Sequence, residues 1–402
     1  SPVLLVDSGD TFTRGPLTNA YEGIADTEAM NVVGYDLAAL GNNEFKAKDR
    51  IEDHDAQGAQ DALLRVVKRS HFHWLCANAF DGKGAFLEGV LPYVVREING
   101  VRVGFLGLTP PRVAFYPQAL GWKITDPISA AKEWIPKARL HCDILIALTH
   151  IGFDLDKQLA AQTTGIDAIV GGDSHTFLYK AEEVANLDGR KIPIVQAGEF
   201  GVNLGRFDLR FSRSATGIWT LSGYTYLLLP VDNHIREARD VVSHLKPYLT
   251  PLLTKVGRVG KIGATPDERN KLTNQTIVDA LRAQTGADYA LNPGDSGFEV
   301  FRHQEVTRYD VQAIMPFKNH VVTVALTGKE IEVMRKLVPL TFLSGDLTGL
   351  QPEGVYKVAF VDYAAKSAYK VSLDKIVDTG RDVREVLIEF LGKQGQGETK
   401  KN

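Results

Sequence analysis

The sequence contains few cysteines and no long apolar run. Only two of its 402 residues are cysteine, Cys76 and Cys142, and both lie in apolar, strand-like surroundings. Neither has a second cysteine at metal-ligand spacing, so buried free thiols are expected, with a disulfide or a thiolate ligand as the alternative. No stretch approaches the roughly 20 apolar residues that span a bilayer. The sequence therefore predicts no transmembrane helix.

The sequence also lacks a strong charge of either sign. Lys and Arg number 46 against 49 Asp and Glu, which gives a net charge of −3 at pH 7. This balance provides no electrostatic reason to expect a nucleic acid polymer or an anionic membrane as partner. The first residues contain no basic segment followed by a small-residue cleavage site, so no signal peptide is predicted and the compartment is not readable from the chain.

What is present is a regular alternation of strand-like and helical segments. Over roughly the first 225 residues, short apolar runs close in or near Gly, Asn, Asp, Thr or His, a pattern typical of buried strands in an α/β sheet. Helices are expected outside that sheet, and polar residues at its strand ends. The predicted strands are residues 3–6, 37–40, 74–78, 101–108, 144–148, 168–170 and 194–196.

The second part of the chain predicts a separate unit. Apolar residues between 232 and 256 recur at near-helical spacing, which predicts a linking helix that Pro247 and Pro251 bend or break. A helix at 274–285, a strand and turn at 290–297 and a strand entering 326–328 follow. We predict a domain over 1–230, a linking helix over 231–256, a smaller α/β domain over 257–393 and a disordered polar tail over 394–402.

Five polar side chains at predicted strand ends suggest a metal site. A centre that binds phosphate through two metals needs carboxylates, imidazoles and an amide oxygen, with one carboxylate bridging the ions. Each such residue alone is more often a hydrogen-bonded structural residue. Five of them, each after an apolar strand, favour a common site. They are Asp10 as the bridging carboxylate, Asn42 as the amide, His150, Asp173 and His175.

These residues stand in short motifs that resemble the 5′-nucleotidase family of metallophosphoesterases. The family patterns are Gly-Asp, Gly-Asn-His-Glu, Thr-His and Gly-His-Ser-His, and the chain has counterparts of all four in that order. They are Gly9-Asp10, Gly41-Asn42-Asn43-Glu44, Thr149-His150 and Gly172-Asp173-Ser174-His175, supported by Gln196-Ala197-Gly198, Asp279-Ala280, Pro316-Phe317 and Leu326-Thr327-Gly328. The resemblance covers nearly the whole chain.

The resemblance implies both a fold and an activity. The fold is an N-terminal four-layer αββα metallophosphoesterase sandwich, joined by a linking helix to a smaller α/β C-terminal substrate domain. The activity is attack of metal-activated water on a phosphate monoester, with a nucleotide as the family's substrate, divalent Mn, Mg or Zn as cofactor, and a periplasmic or extracellular location.

Three departures from the family pattern qualify that activity. The family opens with a strand ending in Asp-x-His, and this chain starts downstream of that motif, so we expect a fragment or processed form with one metal rather than two. Asn43 replaces the family histidine, and loss of general acid catalysis typically lowers the reaction rate by a factor of about 10²–10⁴. Asp173 replaces a ligand histidine, and a carboxylate favours Mn²⁺ or Mg²⁺ over Zn²⁺.

The substrate residues implied by the resemblance are also altered. Asn292 and Gly294 match the family's substrate loop, but its arginine is missing. Arg302 or Arg308 is a substitute, with a surface cation as the commoner alternative. Phe342 and Tyr369 are candidates for an aromatic clamp, with ordinary packing as the alternative.

Two functions follow from the sequence. One is a 5′-nucleotidase-like hydrolase with an altered active site, in which Asn43 and Glu44 occupy the catalytic positions. The other is a catalytically impaired relative that keeps the fold to bind a ligand or partner.

Overall fold

The computed structural model of the chain describes residues 2–12, 15–46, 56–111, 121–294, 299–338 and 340–398. The chain divides into two units, one formed by residues 1–13 and 21–246 (unit 1) and one by residues 14–20 and 247–402 (unit 2). No helix within the described ranges is long and apolar enough to cross a membrane.

The helices of the described residues are α1 (Pro16–Tyr21), α2 (Ile24–Val33), α3 (Ala56–Arg69), α4 (Pro127–Arg139), α5 (Phe153–Gln162), α6 (Arg239–Leu252), α7 (Pro266–Thr285), α8 (Arg308–Ile314), α9 (Gly328–Leu337) and α10 (Val383–Glu398). The strands are β1 (Val6–Asp7), β2 (Leu37–Ala39), β3 (His73–Leu75), β4 (Ala79–Phe80), β5 (Val90–Leu91), β6 (Tyr93–Ile98), β7 (Val101–Leu108), β8 (Lys123–Ile124), β9 (Ile144–Thr149), β10 (Ala168–Val170), β11 (Glu182–Ala185), β12 (Lys191–Val195), β13 (Asn203–Arg213), β14 (Trp219–Pro230), β15 (Lys255–Arg258), β16 (Tyr289–Pro293), β17 (Glu305–Thr307), β18 (His320–Thr327), β19 (Thr341–Ser344), β20 (Val355–Val361) and β21 (Val377–Asp382).

Unit 1 contains two stacked sheets. One has the strand order β1-β2-β3-β5 and the other β11-β12-β10-β9-β7-β6, while β13 and β14 pair as a long hairpin. Strands β7, β9, β10 and β12 run parallel to one another. All six residues of β9 are buried, as expected for a parallel strand that is covered on both faces.

The core of unit 1 shows the layering directly. One apolar cluster fills the space between the sheets, with Leu37 and Leu75 from one sheet and Phe105 and Leu148 from the other. A second cluster joins the six-stranded sheet to α4 and α5, and a third joins the four-stranded sheet to α2 and α3. This is the helix–sheet–sheet–helix order of a four-layer sandwich, so the predicted fold class is confirmed.

Unit 2 is built around one mixed sheet with the strand order β19-β16-β20-β18-β21. Helix α7 packs against this sheet, and its limits follow from the sequence. Thr265 and Glu268 form a capping box at its start with Pro266 as first helical residue, and Gly286 ends it in a left-handed conformation.

Most predicted strands coincide with observed ones, and the differences have identifiable causes. Helix α6 covers only Arg239–Leu252 of the predicted 231–256 segment and continues through Pro247 and Pro251. Both prolines are exposed, so water can satisfy the carbonyl groups that lose their donors. Of the predicted bend or break, the break is therefore wrong, and the bend stays a prediction.

The predicted disorder of the last residues is also wrong in part. Residues 394–398 continue α10, which Val386, Leu387 and Leu391 anchor in the core of unit 2. Residues 399–402 lie outside the described part of the chain, as do residues 295–298 of the predicted turn after β16.

Candidate metal centre

Four loops of unit 1, at the carboxyl ends of β1, β2, β9 and β10, meet at one place. Their backbones approach so closely that two glycines are required. A Cβ atom on Gly41 would lie 2.3 Å from Asp10 Oδ1, and one on Gly172 would lie 2.9 Å from His150 Nδ1. Any larger residue would push the loops, and the side chains they carry, apart.

The imidazole of His150 lies at the centre of this arrangement. Its Nε2 atom is 3.2 Å from Asp10 Oδ1 and 3.8 Å from Asp173 Oδ1. Its Nδ1 atom is 2.6 Å from the carbonyl oxygen of Ser8, which can only accept, so Nδ1 carries the proton. The Nε2 atom is buried and makes no hydrogen bond of good geometry. In the neutral ring, its lone pair is therefore the one presented to the two carboxylates.

The charges of the centre are strongly coupled. Burial opposes ionisation of Asp10, but contacts with His150 and hydrogen bonds from Asn43 outweigh it and lower the pKa of this carboxyl. Burial also disfavours a charged His150, yet the neighbouring Asp10 and Glu44 raise the pKa of its imidazole to about 9. Without a metal, Asp10 and His150 thus form an ion pair, which a cation can replace by displacing the Nε2 proton.

Glu44, predicted at a catalytic position, joins two of the loops. It is fully buried, and its carboxyl accepts the backbone N–H groups of Asp10 at 3.0 Å, Phe12 at 3.2 Å and Gly41 at 2.6 Å. Burial and the charge of Asp10 raise the pKa of Glu44 to about 7. The contacts place Glu44 behind the centre, where it holds the loop of Asp10 against the loop after β2.

Asn43 contacts Asp10 through both of its donors. Its backbone N–H donates to Asp10 Oδ1 at 2.8 Å, and its side-chain amide donates to Asp10 Oδ2 at 2.5 Å. Asn42 precedes it in the same loop and is half-buried. Asn43 thus lies directly beside the predicted bridging carboxylate.

His175 is placed differently from the other predicted ligands. Its Nδ1 atom lies 2.7 Å from Glu199 Oε2, and half of its side chain is exposed. Over the described part of the chain, no three His, Cys, Asp or Glu side chains are already arranged as a metal site. The structure therefore brings together Asp10, His150 and Asp173, and leaves His175 paired with Glu199.

The three converging residues nevertheless fit a divalent ion. Ligand atoms bonded to one ion at typical lengths lie about 3.0–3.5 Å apart. The 3.2 Å between His150 and Asp10 falls in this range, and the 3.8 Å between His150 and Asp173 is slightly longer. Two carboxylates and an imidazole are suitable donors, and the buried Nε2 atom without a hydrogen bond is the position where an ion would be expected.

In unit 2, three of the predicted substrate residues are neighbours. Asn292 and Phe342 are paired between β16 and β19, and a Cβ atom on Gly294 would lie 2.6 Å from the Phe342 ring. Asn292 is fully buried, and Phe342 is partly buried against the core of unit 2.

The other three predicted substrate residues have the arrangement that the sequence left as the alternative. Arg302 pairs with Glu299 at 2.9 Å, and Arg308 pairs with Glu385 at 3.0 Å, all on the surface. Tyr369 is 3% exposed, its hydroxyl donates to a threonine, and its ring packs 5.4 Å from that of a core phenylalanine. An exposed clamp at Tyr369 is not present.

Two residues around the centre, Asp156 and Glu199, were not predicted from the sequence, and a third, Gln196, was quoted only as part of a supporting motif. Asp156 in α5 is fully buried, accepts the Thr149 hydroxyl at 2.6 Å, and has its pKa raised to about 7 by burial. Gln196 follows β12 and contacts the turn that carries Asp173, and Glu199 pairs with His175. A lone Asp in a helix is too common to signal a role, and the supporting motif that contains Gln196 assigned it none.

Two family descriptions match the chain. Residues 1–177 match the calcineurin-like phosphoesterase family, and residues 255–336 match the 5′-nucleotidase C-terminal domain. The chain is 28% identical to the trifunctional nucleotide phosphoesterase protein YfkN of Bacillus subtilis over 82% of this chain and 25% of that protein. It is 34% identical to the 5′-nucleotidase of Rattus norvegicus over 52% of this chain and 38% of that protein. The aligned regions thus span between a quarter and about two fifths of these relatives.

Solved structures share the fold over almost the whole chain. The 5′-nucleotidase precursor of Thermus thermophilus has a TM-score of 0.69 and 22% identity, with 98% of this chain and 87% of that chain covered. The 5′-nucleotidase of Candida albicans has a TM-score of 0.63 and 14% identity, with 97% and 89% covered. Two domain matches in the expected order, on this fold, assign the chain to the 5′-nucleotidase family of metallophosphoesterases.

Proposed function

We propose that this protein is a metal-dependent phosphoester hydrolase that acts on phosphate monoesters, nucleotides among them. The supporting observation is the convergence of Asp10, His150 and Asp173 around a buried imidazole nitrogen, in a domain of the calcineurin-like phosphoesterase family. The names of the relatives support a nucleotide as the substrate class.

The ligands proposed for the ion are Asp10, Asn42, His150, Asp173 and His175. The hydrogen bond from His150 Nδ1 to Ser8 fixes the ring so that Nε2 is the donor atom. Glu199 binds Nδ1 of His175 and likewise leaves its Nε2 atom for coordination. A divalent ion held there supplies the Lewis acidity that polarises the phosphoryl oxygens and activates water.

Asn43 determines whether the site can protonate the leaving group. Its amide can donate a hydrogen bond to a phosphoryl oxygen, but it carries no proton that can be transferred near neutral pH. The proposed enzyme therefore favours esters whose leaving group needs little protonation. Asp173 favours Mn²⁺ or Mg²⁺ over Zn²⁺, and the precursor among the structural relatives supports a periplasmic or extracellular location.

Asn43 also favours the second candidate function, a catalytically impaired relative that keeps the fold to bind a ligand or partner. In that case the catalytic step is lost while the fold remains. The two functions share the fold and differ in whether the protein hydrolyses a phosphoester.

Purified protein, assayed with p-nitrophenyl phosphate and AMP under added Mn²⁺, Mg²⁺ or Zn²⁺, tests the proposal. We expect metal-dependent release of phosphate that Asp10→Asn and His150→Ala abolish. Lys137→Ala, on an exposed ion pair of α4, is the matched control and keeps full activity. Metal binding without phosphate release would favour the second function, and absence of metal binding would refute the proposed hydrolase.

A further inference from the structure

The turn between Gly172 and Thr176 has an unusual backbone. Asp173 and His175, both proposed metal ligands, have positive φ angles of 76° and 56°. This left-handed region is unfavourable for residues other than glycine and persists only where the surroundings determine it. Something in unit 1 must therefore hold this turn.

One buried side chain makes hydrogen bonds along the whole turn. Gln196 is 2% exposed, and its Nε2 atom donates to the carbonyl oxygen of Gly172 at 3.0 Å. Its Oε1 atom accepts the hydroxyl of Ser174 at 3.0 Å and the backbone N–H of Thr176 at 2.5 Å. The three bonds fall immediately before Asp173, between the two ligands, and immediately after His175.

Gln196 is itself fixed in place. Its backbone carbonyl oxygen accepts the hydroxyl of Tyr226 at 3.1 Å and the backbone N–H of Leu178 at 3.2 Å. All three hydrogen bonds of the Gln196 side-chain amide are made with residues 172–176. Because Gln196 is itself held rigidly, these bonds fix the position of the turn.

We infer that Gln196 is the positioning residue of the metal centre and sets its affinity for divalent ions by holding Asp173 and His175 in their left-handed conformations. The inference rests on the proposed metal centre. Partners that orient metal ligands without touching the ion typically change affinity by about 10–100-fold when replaced.

The test compares two buried amides that each hold a turn. Gln196→Met keeps the length of the side chain and removes all three hydrogen bonds. Asn186→Leu is the matched control, because Asn186 is also buried and its Oδ1 atom accepts the N–H groups of Asp188 and Arg190 in a turn remote from the ligands. Calorimetric titration of the full chain with Mn²⁺, together with the thermal midpoint of each metal-free variant, separates affinity from stability.

We expect Gln196→Met to weaken Mn²⁺ binding by at least about tenfold, and Asn186→Leu to leave it within about twofold at a similar loss of thermal midpoint. Equal affinities in both variants would overturn the inference while leaving the proposed function intact. A wild-type chain that binds no Mn²⁺ would instead refute the proposed function, and the positioning role with it.

Hydrogen exchange provides a second measurement that needs no variant. In the metal-free wild-type protein, the backbone N–H of Thr176 should exchange slowly, because its partner is the buried Gln196 amide. Exchange at the rate of an open loop would show that the turn is not held and would overturn the inference even if Gln196→Met fails to fold.

Discussion

Introducing a histidine at position 43 should raise turnover. Asn43 already lies against Asp10, with both of its N–H donors within 2.8 Å of that carboxylate. An imidazole placed there would be held protonated by the adjacent negative charge, which raises the pKa of a histidine. General acid catalysis is worth about 10²–10⁴ in rate, which corresponds to about 2.7–5.4 kcal/mol of activation free energy at 1.36 kcal/mol per decade.

The gain should depend on the leaving group and on pH. AMP releases an alkoxide that needs a proton, whereas p-nitrophenolate leaves readily without one, so kcat for AMP should rise more in Asn43→His. The gain should fall as the pH passes the pKa of the new imidazole. Because Asn43 is only 7% exposed, the larger ring should also lower the free energy of unfolding by about 1–3 kcal/mol.

Asn43→Gln is the control for size, since it lengthens the side chain without adding an acid. An equal gain for both substrates, or the same gain in Asn43→Gln, would refute the reasoning. So would an unchanged kcat in an Asn43→His protein that still binds its metal.

Other perturbations test the remaining assignments. Asp173→His should raise the affinity for Zn²⁺ relative to Mn²⁺ by about tenfold or more; an unchanged ratio in calorimetric titrations would show that position 173 does not ligate. Glu44→Gln removes the acceptor of one of three buried N–H groups and should cost about 1–3 kcal/mol in urea denaturation; a loss well below that range would contradict the bracing role. Tyr369→Ala should cost about 3–5 kcal/mol and leave KM for AMP unchanged; a raised KM would show that Tyr369 contacts substrate after all.

The central strands of unit 1 could be predicted because several of them, such as β2 and β9, are buried on both faces. Continuous apolar runs such as β9 are recognisable without any partner, and the polar residue after each run marks its end. The end of α10 in the polar C-terminal tail and the course of α6 through its prolines were less predictable. Whether Pro247 interrupts α6 depends on which side of the helix meets water, and that is a property of packing rather than of local sequence.

The candidate centre was predictable only in part. Asp10, His150 and Asp173 could be grouped because each follows a strand, and parallel strands bring their carboxyl ends together. The supporting residues could not be found in this way. Gln196 and Asp156 act through hydrogen bonds to segments 20 or more and seven residues away, respectively, and no local pattern records such a partner.

The energetic cost of the centre supports the proposal that the protein binds a metal. Asp10, Asp173 and His175 all occupy the left-handed region, and each such residue costs about 1–3 kcal/mol. His150 is a buried side chain that is charged beside Asp10, and Glu44 is a fully buried carboxyl group. The net stability of a domain is only about 5–15 kcal/mol, so a chain that used this unit purely as a scaffold would gain by replacing these residues with glycine or apolar side chains. An ion that binds the folded state offsets the cost, because its binding free energy adds to stability. The strained ligand loops are therefore better explained by a retained metal than by a fold kept for its shape alone.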